Sequence, residues 1–248
     1  ENISLVPNYR IFRQVADTLG RRGVAVLRMD DRGINGSGGD LVKATSADFA
    51  DDIRAGIAYL RTRPEIDGGR IGLIGHSEGG MIGPMVAASD PKVKAVVLMA
   101  GPAYTGQKII DFQLRNLVEN NTEIPADKKD SILAAAKVPF GKEANAWTKY
   151  FLTYDPIATL KKVKQPVLIM QGGTDQQITP EQAPIIERTL KGAGNNDVTL
   201  KLFPERNHLF LKDPIGFPSD YVKLKNGKID AEVMGALAEW VVAKLAAK

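Results

Sequence analysis

The pentapeptide Gly75-His76-Ser77-Glu78-Gly79 has the G-x-S-x-G spacing of a nucleophile elbow. The apolar run Arg70-Ile71-Gly72-Leu73-Ile74 enters it like a buried strand, and Gly79-Gly80-Met81-Ile82 leaves it like the first turn of a helix. A strand that turns sharply into a helix lifts one side chain clear of the sheet. The glycines two residues either side allow the close chain approach that such a turn needs. Without those flanks the stretch would read as a Gly-rich loop with an idle serine. With them, Ser77 is the expected nucleophile of an acyl transfer. A serine hydroxyl is weak at neutral pH, so a base must take its proton and a third group must orient that base. The chain has two histidines. His76 lies inside the elbow, where its position points it away from the serine. His208 is therefore the expected base, in Phe203-Pro204-Glu205-Arg206-Asn207-His208-Leu209-Phe210 just past the strand-like Val198–Phe203. A lone loop histidine would otherwise be a surface or capping residue.

The best candidate for the orienting acid is Asp175. It follows the apolar run Pro166-Val167-Leu168-Ile169-Met170 and the loop Gln171-Gly172-Gly173-Thr174. An acid just past the carboxyl end of a strand sits on the sheet edge where open α/β folds place their sites. Its structural alternative is an Asx-turn, or a cap for the helix beginning near Pro180. Glu181, Glu187 and Asp197 fit less well, falling on a helix face or in a polar loop.

On these residues the chain resembles a bacterial serine esterase of the α/β-hydrolase superfamily, in the branch with a Gly-His-Ser-Glu-Gly-Gly elbow. Further segments carry the resemblance: Val26-Leu27-Arg28-Met29-Asp30-Asp31-Arg32-Gly33 with Gly36-Ser37, Tyr154-Asp155-Pro156, Gly173-Thr174-Asp175 and Asn207-His208-Leu209-Phe210. It runs from about Tyr9 to the C-terminus, and the order Ser77, Asp175, His208 is that superfamily's order. The resemblance implies hydrolysis of short-chain acyl esters with no metal or organic cofactor. The backbone N–H of Glu78, next after the nucleophile, is the expected oxyanion donor. A peptidase or acyltransferase on the same three residues is the nearest alternative. A hydrolase-like binding module without turnover is the alternative of another class.

The elements that must position these residues read as α/β. Apolar runs at Gly23–Met29, Arg70–Ile74, Val93–Ala100, Pro166–Met170 and Val198–Phe203 are short and continuous, as in parallel strands covered on both faces. Between them lie helical stripes such as Phe49, Ile53, Ile57 and Leu60, and the chain ends on Val233, Met234, Leu237, Trp240, Val241 and Leu245. The expectation is one α/β-hydrolase domain over residues 1–248, its mostly parallel sheet flanked by helices on both faces, with a helical cap inserted at 105–153. Trp147, Tyr150, Phe151 and Tyr154 either pack that cap onto the domain or face the pocket. Pro84 should kink or shorten the helix after the elbow.

One departure from the superfamily stands out. Glu1-Asn2-Ile3-Ser4-Leu5-Val6-Pro7 leads almost directly into a helix near Tyr9–Leu19, whereas the superfamily has strands before this point. One of them pairs between the runs at Gly23–Met29 and Arg70–Ile74, and the loop after it supplies the second oxyanion amide. The N-terminal strands are thus expected to be missing from this chain and supplied by a preceding segment or a second chain.

Other features set bounds. The net charge of +4 and pI near 9.1 come from scattered basic residues with no aromatic-basic platform, so no nucleic-acid partner is expected. Asp31–Gly39 lacks the spacing of a dinucleotide loop, and Gly101–Lys108 fails as a phosphate loop because Gln107 separates Gly106 from Lys108. The first of these is expected to be structural, held by its Asp and Arg. There is no cysteine, which excludes disulfides and thiol catalysis. That absence suits export to the periplasm or medium, with the cytoplasm as the alternative, and no run is long enough to span a membrane.

Overall fold

The structure is a computed structural model that describes residue 6 and residues 9–246. Of the opening stretch Glu1 to Pro7 only Val6 is among them, so the expectation for the rest lies outside the described residues. The helices are α1 (Ile11–Gly20), α2 (Ser46–Thr62), α3 (Gly79–Ala87), α4 (Gly106–Glu119), α5 (Lys129–Lys137), α6 (Ala146–Thr153), α7 (Pro156–Leu160), α8 (Gln182–Gly192) and α9 (Ala231–Ala246). The strands are β1 (Gly72–His76), β2 (Ala95–Met99), β3 (Val167–Gly172) and β4 (Val198–Phe203). They pair in parallel in the order β1-β2-β3-β4, with Ile74 beside Val97, Leu98 beside Ile169 and Gly172 beside Phe203.

The unbroken apolar runs of the inner strands follow from burial on both faces. Val97 and Met99 of β2, with Leu168 and Met170 of β3, enter one core with Val15 and Leu19 of α1 and Val233, Leu237 and Val241 of α9. Their neighbours Val96, Leu98, Val167 and Ile169 enter a second core with Ile57 of α2, Val86 of α3 and Ile186 and Leu190 of α8. This is the α/β-hydrolase arrangement. Helices α4, α5 and α6 occupy the interval between β2 and β3 where the cap was expected. Helix α3 contains Pro84 and ends three residues later at Ala87.

The strand expected at Gly23–Met29 does not form. Residues 24–30 carry no ladder, and Val26, Leu27 and Met29 are 36%, 38% and 44% exposed. Among the described residues β1 pairs only with β2, so its other edge is free. An apolar β-former without a neighbour to bond has no sheet to join. Residues 24–30 instead rest on α2, where the side chains of Leu27 and Met29 crowd Gly56.

The loop that follows is structural. Arg32 grips Asp52 through Nε (2.8 Å) and Nη2 (2.7 Å) and reaches the carbonyl of Asp48 (2.8 Å). Asp48 closes a capping box with Thr45 at the start of α2. The loop is thereby tied to the helix end that faces the elbow.

Candidate active site

Strand β1 ends at His76, and Ser77 follows in the left-handed region with φ +55°. Its N–H still reaches across to the carbonyl of Met99 (2.9 Å), while its own carbonyl accepts from Gly80 (2.8 Å) and starts α3. A Cβ on Gly75 would lie 2.0 Å from the carbonyl oxygen of Gly79, and one on Gly80 would lie 2.6 Å from Cα of Gly101. The close approach read from the motif is therefore required at Gly75 and Gly80. Gly79 has open space around it and contributes its carbonyl instead.

Asp175 and His208 are brought together. His208 Nδ1 lies 2.9 Å from Asp175 Oδ2, and the two residues are 4% and 1% exposed. A carboxylate there can only accept, so Nδ1 carries the proton and Nε2 keeps its lone pair. The other acceptor sites of Asp175 are filled. Oδ1 accepts the backbone N–H groups of Gln177 (2.8 Å) and Ile178 (2.9 Å), and Oδ2 also accepts Gln171 Nε2 (3.0 Å). The turn contacts that could have been Asp175's whole purpose thus coexist with the histidine bond.

The loop carrying His208 is held from several sides. Asn207 Oδ1 accepts from the N–H groups of Leu209 (3.0 Å) and Leu211 (3.1 Å), and Tyr9 Oη donates to the carbonyl of Leu209 (3.1 Å). Gly172 admits the carbonyls of Arg206 and Asn207 so closely that a Cβ would meet them at 2.3 and 2.6 Å.

His76, set aside in the sequence, has a clear task. Its Nε2 donates to the carbonyl of His208 at 2.8 Å, and the two rings lie 4.7 Å apart. Burial, and next the neighbouring His208, push its pKa down to about 3, so it is a neutral donor near pH 7. This contact sets the elbow against the His208 loop. Among the described residues the Ser77 hydroxyl is not itself hydrogen-bonded to His208. Such bonds are commonly loose before substrate arrives.

Among the described residues the N–H of Glu78 has no hydrogen-bond partner, as an oxyanion donor requires. Its side chain is engaged elsewhere. Oε1 accepts Ser46 Oγ (2.6 Å) and Trp147 Nε1 (2.8 Å). Burial raises the pKa of this carboxyl, those two hydrogen bonds oppose the rise, and Asp31 adds to it. The four aromatics of this stretch divide accordingly. Trp147 stacks on Phe151 (5.0 Å between centroids) beside the elbow. Tyr150 and Tyr154 instead line, with Arg54 and Lys162, a surface cleft of about 350 Å³ that includes none of Ser77, Asp175 and His208. Among the described residues no group of three or more Asp, Glu or His is arranged to hold a metal ion, and no helix is long and apolar enough to cross a membrane.

Sheet, elbow and the placement of Asp175 and His208 define an α/β hydrolase. The chain belongs to the prolyl oligopeptidase family, whose sequence profile matches residues 10–221. It is 27% identical to esterase EstD of Thermotoga maritima over 95% of this chain and 57% of that protein. It is 25% identical to the rat acylamino-acid-releasing enzyme over 76% of this chain and 25% of that one. The chain therefore spans little more than half of one relative and a quarter of the other. Among solved structures, an esterase of Pyrococcus furiosus superposes with a TM-score of 0.65 at 17% identity, covering 94% of this chain and 75% of that one. Est1E of Butyrivibrio proteoclasticus, with ferulic acid bound, gives 0.64 at 20% identity, over 98% and 86%. These two likenesses establish the fold.

Proposed function

We propose that the chain is a serine hydrolase that cleaves short-chain carboxylic esters through an acyl-enzyme. The observation that carries this reading is the buried 2.9 Å contact between Asp175 and His208, with the elbow joined to the same histidine through His76. Ser77 Oγ attacks the ester carbonyl while His208 Nε2 takes its proton, and Asp175 stabilises the imidazolium that forms. The Glu78 N–H donates to the developing oxyanion. His208 then protonates the departing alcohol, activates a water and returns to its starting form as the acid leaves. The small-ester assignment draws on the esterase relative and the esterase neighbours.

A second oxyanion amide and the free edge of β1 belong to one proposal. A further strand, from a preceding segment or another chain, pairs on that edge and brings its loop to the elbow. The exposed apolar side chains of residues 24–30 support it. The competing enzyme reading is a peptidase, favoured by the family match and by the acylamino-acid-releasing relatives.

Fluorophosphonate labelling read by intact mass, on the chain and on Ser77→Ala, tests the nucleophile. One adduct that disappears in the variant is expected, and an adduct that survives it removes Ser77 from the mechanism. Turnover of p-nitrophenyl butyrate against an acetylaminoacyl anilide then separates the enzyme readings. Preference for the anilide would overturn the esterase assignment.

A further inference from the structure

The Glu78 side chain does something that its backbone role does not require. Residue 78 follows the nucleophile directly, yet its carboxylate spans two distant parts of the chain through one oxygen. Ser46 Oγ, fully buried at the first turn of α2, and the indole N–H of Trp147, in the first turn of α6, both end on Oε1. Trp147 lies on the second of these helices in parallel stacking with Phe151, at 8° between planes. Phe151 in turn fills the space against Gly106 at the start of α4, where a Cβ would meet the ring at 2.4 Å. The chain of contacts runs from the elbow through one carboxylate into two helices of the insertion. Only the Glu78 bond in that chain ties Trp147 to the residue beside the serine.

We infer that the Glu78 side chain is a specificity-determining latch. By accepting from Ser46 and Trp147 together it holds α6 against the elbow, and the indole so placed limits the space open to an acyl group on Ser77. The inference rests on the esterase reading for its substrate and on geometry for the latch. Glutamine keeps an acceptor oxygen at the same reach and is expected to preserve both bonds; alanine removes them. Trp147→Phe deletes the donor and keeps a ring to stack on Phe151.

Two readouts test it. In a Trp240→Phe background Trp147 is the one remaining tryptophan. Acrylamide quenching of its emission should rise severalfold in Glu78→Ala and stay at the parent level in Glu78→Gln. The ratio of kcat/KM for p-nitrophenyl octanoate over acetate should rise about tenfold in Glu78→Ala and Trp147→Phe, the factor that loss of one hydrogen bond allows. It should stay at the wild-type value in Glu78→Gln. Unchanged quenching in Glu78→Ala overturns the latch, and an unchanged ratio in both Glu78→Ala and Trp147→Phe overturns its role in specificity. Should circular dichroism show Glu78→Ala unfolded, Trp147→Phe against Glu78→Gln decides by the ratio alone. A chain that hydrolyses neither ester defeats the functional reading, while quenching still decides the latch.

Discussion

Asp175 has four donors around two oxygens, and this fixes what its replacement would do. In Asp175→Asn the amide oxygen is drawn to the two backbone N–H groups of Gln177 and Ile178. Its NH2 then faces Gln171 Nε2 and His208 Nδ1, both donors. The imidazole must take the other tautomer, so kcat on p-nitrophenyl butyrate should fall about 10³–10⁴-fold with the chain still folded. His76 makes a different prediction. Its unfolded pKa is about 6.5 and its folded value about 3, so between these the unfolded state holds the extra proton. Stability is therefore retained above pH 6.5 and lost as pH falls toward 3. The slope is at most about 1.4 kcal/mol per pH unit and less for a ring that is not wholly buried. Urea midpoints at pH 7 and pH 5 should converge in His76→Gln, whose amide can still donate to the His208 carbonyl. Ser77 and His208 could be proposed from the sequence because the elbow is a local pattern and the chain offers one histidine outside it. The purposes of His76 and the Glu78 carboxylate were not, since their partners lie 132 and 69 residues away and no local pattern encodes such distances.

At the scale of elements, continuous apolar runs identified β2 and β3 because both of their faces are covered, whereas β4 lies at the sheet edge with Leu202 half exposed. The same reasoning failed at Gly23–Met29, whose residues have the composition of a strand and no neighbour to bond. Strand formation is a property of a pair, so composition alone could not reveal that one member lacked its partner. The insertion between β2 and β3 was visible as helical periodicity, but the close packing of its α4 on α6 requires a small residue at Gly106. Gly106→Ala would drive a methyl into the Phe151 ring and carbonyl, both 2.4 Å from the ideal Cβ position. Overpacking of this kind costs about 1–3 kcal/mol, and a thermal melt should show the loss. An unchanged melting temperature would mean that α4 and α6 separate easily.

Across the whole molecule the three proposed catalytic residues are divided between regions with unequal support. Asp175 and His208 come from loops after β3 and β4, which are stitched together through Gly172 and by backbone bonds such as Thr174 N–H to the carbonyl of Arg206 (3.0 Å). Ser77 stands at the end of β1, which among the described residues pairs with β2 alone; β4 is likewise an edge strand, but its following loop is held to the loop after β3 by the contacts just named. Local opening follows such differences in support and proceeds below the global transition. Inactivation should therefore precede unfolding: in a urea titration, fluorophosphonate reactivity of Ser77 should vanish at a lower concentration than the far-ultraviolet dichroism of the helices. Coincident transitions would show that β1 is as firmly held as the interior strands. A site assembled in this way can be taken apart by loosening one edge, with most of the fold intact.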